Sequence, residues 1–377
     1  MIKYVGVNDH QVDLFEGQYQ VKNGMSYNSY VIFDQKIAIM DTVDIRFAKE
    51  WLFNIQKALE GRTPEYLVVL HMEPDHSACI QKLVETYPSI TVVGNAKTFQ
   101  MIQQFFPKLL LKHTLTIKEG DQIHLGEHTL QFVFAPMVHW PEVMMAYDTS
   151  SKSLFSADGF GKFGALDVEE DWKEEARRYY IGIVGKYGLP VQNLFKKVAN
   201  IEISSIYPLH GPVLKENLSY YLDLYNTWSS YQPEEDGVCV AYSSIYGNTK
   251  QGVFELVEQL NGTKTEVFDL ARCDMSLAIS KAFQYSKLVI ASPTYNNGVF
   301  PPVEAFLHGL VERGYQNRIV GTIENGSWAP TANKYICDYL KDSKNITLLE
   351  EKVTIKSSLD DVSKNQIHLL AEKLKSK

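Results

Sequence analysis

The sequence predicts two α/β domains in series: two sheets sandwiched between helical layers, then a doubly wound parallel sheet. Three observations predict it. Roughly the first 230 residues are dominated by short apolar runs of strand length, interrupted by segments with helical periodicity. From Gly237 onward, strand and helix patterns alternate regularly. Between the two regimes lies SSYQPEEDG, a polar stretch with a proline and three consecutive acids that reads as a linker. The expected domains are therefore 1–234 and 235–377.

In the first domain the strand candidates are QYQVK, NSYVIFD, KIAIMDT, YLVVLH, SITVVGN, TLQFVFAP, SLFSAD and ISSIYPLH. RFAKEWLFNIQKALEG and SACIQKLVETY space their apolar residues by three and four, as helices do. In the second, the strands are GVCVAYS, TEVFDLA, KLVIASPT, RIVGTIEN and ITLLEEKVTI. The intervening helices start at NTKQGVFELVEQLNG, SLAISKAFQYS, PPVEAFLHGLVERG and TANKYICDYLKD, and the last is SLDDVSKNQIHLLAEKLKSK. Five βα units in this order suit a doubly wound sheet.

Composition narrows the function. Lys and Arg number 37 against 45 Asp and Glu, a net charge of −8, and no basic run is available to neutralise phosphates, so a nucleic-acid partner is not expected. No apolar run approaches membrane-span length, and the first residues lack a secretory signal pattern. The four cysteines, Cys79, Cys239, Cys273 and Cys337, form no CxxC pair, which suits reduced thiols in a cytoplasmic protein.

The strand YLVVLH ends in His71-Met72-Glu73-Pro74-Asp75-His76, four potential metal ligands within six residues at a strand-to-helix turn. In an extended approach His71 and Glu73 share one side. The turn at Pro74 lets Asp75 and His76 face an adjacent position, so one segment can serve two metals. His139, Asp158 and His210 each follow a later strand run, where a sandwich displays its loops. A single histidine at a strand end is more often an ordinary polar residue, and His10, His113, His124, His128, His308 and His368 are read that way. Seven such residues in order are hard to explain by packing.

This pattern resembles the metallo-β-lactamase superfamily, marked by H-x-H-x-D-H and a distant His, Asp and His. Glu73 stands where the second histidine belongs, and H-x-E-x-D-H is similar to the flavodiiron proteins, or A-type flavoproteins. The resemblance implies a metallo-β-lactamase-like αβ/βα sandwich holding two irons: His71, Glu73 and His139 on one, Asp75, His76 and His210 on the other, and Asp158 bridging them about 3.5–4 Å apart. The added carboxylate is a hard oxygen ligand that suits iron better than a hydrolytic zinc pair. Asp41, after IAIM, resembles the superfamily's loop-orienting aspartate.

The second domain carries three loops at the carboxyl ends of its strands, where parallel sheets bind ligands. The first is Ser243-Ser244-Ile245-Tyr246-Gly247-Asn248-Thr249, at a helix N-terminus suited to an anion. It lacks a Walker-type lysine, which disfavours a nucleotide triphosphate. The second loop is Pro293-Thr294-Tyr295-Asn296-Asn297-Gly298 and the third Asn325-Gly326-Ser327-Trp328. One cluster alone is an ordinary capped turn. Three in register resemble the flavodoxin phosphate loop and ring-flanking loops, and imply a flavodoxin-like domain binding FMN.

Taken together, the resemblance covers essentially the whole chain. It implies reduction of dioxygen to water, nitric oxide to nitrous oxide, or both, with FMN relaying electrons to the irons. Met25 and Trp140 are candidates for tuning the choice of gas. With no rubredoxin-like or reductase-like segment in the sequence, an external donor such as a rubredoxin is expected, a deazaflavin being the alternative. In that family the two cofactors of one chain lie at opposite ends, which implies a head-to-tail homodimer or a dimer of dimers.

Overall fold

Strands of three to six residues build two sheets in the first of the chain's two units, Met1–Tyr225. The computed structural model describes residues 1–376. One sheet runs Ile2–Tyr4, Tyr30–Ile32, Ala38–Met40, Tyr66–Val68, Thr91–Gly94 and Thr114–Thr116; the other runs Gln122–His124, Thr129–Phe134, Met144–Asp148, Ser153–Phe155 and Ser205–Tyr207. Their inner faces interlock through aromatic rings: Tyr30 meets Phe155 and Tyr207 edge-on at 5.8 and 5.1 Å. On the outside, helix Ala48–Leu59 buries Trp51, Ile55, Ala58 and Leu59, one stripe of a 3.6-residue period. Glu60 and Gly61, both at positive φ, stop it.

Register aims the strand ends. Ser153–Phe155 and Ser205–Tyr207 are parallel, with Phe155 opposite Tyr207. Asp158 and His210 each lie three residues beyond that pair, so parallel pairing delivers both to one end. Ala38–Met40 and Tyr66–Val68 are likewise parallel, Met40 opposite Val68, which sends Asp41 and His71 out together. His139 arrives differently, in the connection between the antiparallel strands Thr129–Phe134 and Met144–Asp148. Met144–Asp148 was not among the expected strands; all five of its residues are buried, so it lacks the alternation that marks a half-exposed strand.

The second unit starts at Asn226. Its main parallel ladder runs Thr265–Asp269, Glu235–Tyr242, Tyr285–Tyr295 and Ile319–Asn325, the last pairing with both Thr347–Leu348 and Val353–Ile355. In chain order that is 2-1-3-4-5, a doubly wound sheet of flavodoxin-like order. Val238 and Val240 pack with Val253, Leu256, Ile367 and Leu370 on one face. The alternate residues Cys239, Ala241, Leu288 and Ile290 are equally buried, so both faces are covered. The polar stretch expected as a linker is tied into this unit. Trp228 Nε1 donates to Glu234 Oε1 at 2.7 Å, Arg318 donates to the Tyr231 carbonyl at 2.7 Å, and the first strand begins at Glu235. No helix among the described residues is long and apolar enough to cross a membrane.

Candidate metal centre and cofactor cleft

Backbone chemistry sets the first metal-ligand segment. After strand Tyr66–Val68 the chain is caught by Asp41, whose Oδ1 accepts from the amides of Leu70 at 2.7 Å and His71 at 3.2 Å. Asp41 takes positive φ, tolerable for a short polar side chain. Pro74 then opens the short helix Pro74–Ser77, as proline does at a first helical position. Glu73 ends the extended part, and Asp75 and His76 lie on the helix.

All seven candidates converge, in two groups. The donor atoms of His71, Glu73, His139 and Asp158 lie within 4.8 Å of one another, as do those of Asp75, His76 and His210. Asp158 lies in the first group and turns its other oxygen toward the second. Its Oδ2 is 3.2 Å from His71 Nε2 and 3.0 Å from His139 Nε2; its Oδ1 is 3.4 Å from His76 Nε2 and 3.8 Å from His210 Nε2. Glu73 Oε2 is 3.0 Å from His139 Nε2, and Asp75 Oδ2 is 3.3 Å from both His76 and His210. The turn carrying Asp158 is held by Ser156 Oγ donating to the Gly159 carbonyl at 2.6 Å and by the Phe160 amide donating to Tyr225 at 2.6 Å.

Six of the seven are buried and Glu73 nearly so, yet neither carboxylate oxygen of Asp75 has a hydrogen-bond donor. Buried carboxylates with no donors are costly unless a cation completes them. Four imidazoles and three carboxylates suit first-row transition metals, so the residues fit a metal pair. The electrostatics agree. Burial pushes Asp158 up, but the imidazoles of His71, His139 and His76 overcome it and hold the carboxyl well below the usual range. Asp75, buried beside Glu73 and Asp158, is pushed up to about 7. His139, despite burial, is raised to about 9 by Asp158 and Glu73. A cation there would offset the burial that raises Asp75 most, and the repulsion from Glu73 and Asp158 that adds to it.

Four of the expected flavin contacts in the first loop line a cleft of about 510 Å³ in the second unit: Ser244, Ile245, Tyr246 and Asn248. Thr249 joins them from the same helix, Asn248–Gln259. Gly247 sits at its N-cap with φ 95°, and Ser244 Oγ accepts from the amides of Gly247 and Lys250 at 3.1 and 3.3 Å. Ser243 lies just beneath, its buried hydroxyl without a partner. From the second loop, Pro293, Thr294, Asn296 and Asn297 line the cleft. Asn296 and Asn297 both take positive φ in a two-residue hairpin joining Tyr295 to Gly298, which sit at its base outside the lining. The third loop contributes Asn325, Gly326, Ser327 and Trp328, the last 83% exposed.

The family model for ODP family beta lactamases matches residues 25–211. An uncharacterized protein of Methanocaldococcus jannaschii is 30% identical over 81% of this chain and 79% of its own length. A nitric oxide reductase of Moorella thermoacetica is 27% identical over 94% and 91%. The rubredoxin oxygen:oxidoreductase structure from Desulfovibrio gigas superposes with a TM-score of 0.92 at 23% identity, covering 100% of this chain and 97% of that one. The chain belongs to the flavodiiron protein family.

Two partners in this flavodiiron chain escape sequence reasoning. Glu142 Oε1 accepts from His71 Nδ1 at 2.9 Å and from the Met72 amide at 2.8 Å. His210 Nδ1 donates to the Ser26 carbonyl at 2.7 Å. Each bond turns the imidazole so that Nε2 faces inward. Glu142 gives one faint signal, an acid at the head of the apolar run VMMAY; Ser26, acting through its backbone, gives none. Of the residues suggested to tune the gas, Trp140 stacks edge-on to His71 at 5.3 Å, and Met25 is fully buried.

Proposed function

We propose that this flavodiiron oxidoreductase reduces dioxygen, nitric oxide or both at two irons. His71, Glu73 and His139 would hold one, Asp75, His76 and His210 the other, and Asp158 would bridge them. The observation that carries this reading is the division of Asp158: one oxygen faces each donor group. When bound, the irons would supply gas binding and reducing equivalents, and FMN held in the second unit would supply electrons. The protein's share is to hold and orient. Asp41, Glu142 and Ser26 fix ligand geometry, and burial keeps bulk water from the donors.

In the second unit, the Ser243–Thr249 loop cradles the FMN phosphate, where amides at a helix N-terminus and hydroxyls meet an anion. The Pro293–Gly298 and Asn325–Trp328 loops flank the ribityl chain and ring. Electrons come from an external donor such as a rubredoxin, and the working assembly is a head-to-tail homodimer or a dimer of dimers in the cytoplasm. Four thiols without disulfide partners support a reducing compartment.

The test is anaerobic reduction of the iron- and FMN-loaded protein, then separate pulses of dioxygen and nitric oxide while flavin and iron re-oxidation are timed. Re-oxidation by neither gas, or stoichiometric zinc with hydrolase turnover in the protein as isolated, would overturn the reading. Light scattering of the purified protein decides the assembly.

A further inference from the structure

We propose that Glu142 makes the two halves of the metal centre unequal, so that a divalent metal enters the His71, Glu73 and His139 position before the Asp75, His76 and His210 position. The inference rests on the two-metal reading above. The ligand types do not separate the halves: each has two imidazoles and one terminal carboxylate, with Asp158 turning one oxygen to the first pair of imidazoles at 3.0–3.2 Å and the other to the second pair at 3.4–3.8 Å. The difference lies behind the imidazoles. His71 Nδ1 donates to a carboxylate that is 1% exposed, at 2.9 Å, and the same oxygen accepts from the Met72 amide at 2.8 Å. The Glu142 backbone is itself pinned, its carbonyl accepting from Asn95 Nδ2 at 2.6 Å.

On the other side His210 Nδ1 meets only the neutral Ser26 carbonyl at 2.7 Å, and His76 Nδ1 has no hydrogen-bond partner. A buried anion beside one ring nitrogen strengthens the donor power of the other. The His71 backbone is also held by Asp41, so ring and main chain are both preset for a metal. The His76 main chain is held as well, its carbonyl accepting from Thr42 N and Oγ1 at 2.8 Å each, so the charge behind the His71 ring is what separates the two sides.

Two measurements on the full chain test this. Protein stripped with a chelator receives one equivalent of Zn(II) and is crystallised, and anomalous scattering at the zinc edge gives the occupancy of each position. Zinc is expected at the His71 side. Equal occupancy, or zinc at the Asp75 side, overturns the inference.

In solution, Co(II) titrations followed by visible absorption compare wild type with Glu142→Gln, which keeps an accepting oxygen and removes the charge. The first binding step is expected to weaken about 10- to 100-fold, the second to stay, and Glu142→Asp to recover part of the loss. An unchanged first step overturns the inference. If Glu142→Gln fails to fold, by circular dichroism and flavin absorbance, the wild-type zinc occupancy decides alone. Fewer than two Co(II) per wild-type chain at saturation overturns the two-metal reading and this inference with it; two Co(II) with evenly shared zinc overturns the inequality alone.

Discussion

The Nε2 atoms of His76 and His210 stand 2.9 Å apart, each 3.3 Å from Asp75 Oδ2. Two imidazole nitrogens aimed at each other and at one carboxylate oxygen are donors gathered toward a common point. A hydrogen-bonded network at the same place needs protons between its members, yet both Asp75 oxygens lack a donor. The arrangement suits a cation, and several consequences follow for the protein in solution.

Asp158→Ala removes an oxygen from both groups at once. We expect iron content to fall below half the wild-type value and gas reduction to drop by about 100-fold or more, beyond what a supporting-residue change produces. The variant should stay yellow, because every expected FMN contact lies in the other unit. Iron analysis, an oxygen electrode and the flavin spectrum measure this; sustained oxygen consumption would sink the bridging role.

Removing the metal should destabilise the first unit selectively. Ligand binding to the folded form adds RT ln(1 + [L]/Kd), about 4 kcal/mol at 1,000 times Kd. Calorimetry with and without a chelator should show the first unit's transition move down while flavin release stays put. No movement of that transition contradicts a metal buried among these seven residues.

Asp41 gives the chelated protein a pH signature. Burial pushes its carboxyl up to about 8, against backbone hydrogen bonds from Leu70 and His71 that pull it down. The unfolded chain ionises near pH 4, so between about pH 4 and pH 8 the folded form holds the extra proton. Its contribution to stability therefore falls as pH rises through that window, by at most about 1.4 kcal/mol per pH unit. Urea melts of chelated Asp41→Asn should decline less steeply over that range than those of chelated wild type. Parallel curves would show that Asp41 does not titrate there.

Gly247→Ala should loosen the flavin. Nothing lies within 4 Å of a Cβ built there, so space is not the difficulty; the φ of 95° is. Placing a side chain in left-handed backbone costs about 1–2 kcal/mol, which corresponds to roughly a 5- to 30-fold weaker FMN complex. Fluorescence titration of the stripped protein with FMN reads it, and wild-type affinity would mean this loop does not shape the site.

How much was legible beforehand depended on distance along the chain. The cluster from His71 to His76 could be read because a strand end, a proline and a first helical turn fix directions over a few residues. The helix start at Asn248 was readable on similar local grounds; the Asn296-Asn297 hairpin turn came from the structure. Strand Met144–Asp148 was not, since burial on both faces erases its alternation. The polar stretch before Gly237 looked like a linker but is held by Arg318 and Trp228, contacts that composition does not show.

The amino-acid sequence alone determined which residue types could gather at a metal centre, the order of the two folds and the family resemblance, because these rest on local spacing and patterning. Only the tertiary structure decided that Asp158 turns one oxygen to each group, and that Glu142 rather than some other acid stands behind His71. The reason is register. Phe155 opposite Tyr207 sets where Asp158 meets His210, and the connection from Phe134 to Met144 sets where His139 and Glu142 fall. Pairings between strands tens of residues apart leave no mark in the spacing of the residues they bring together.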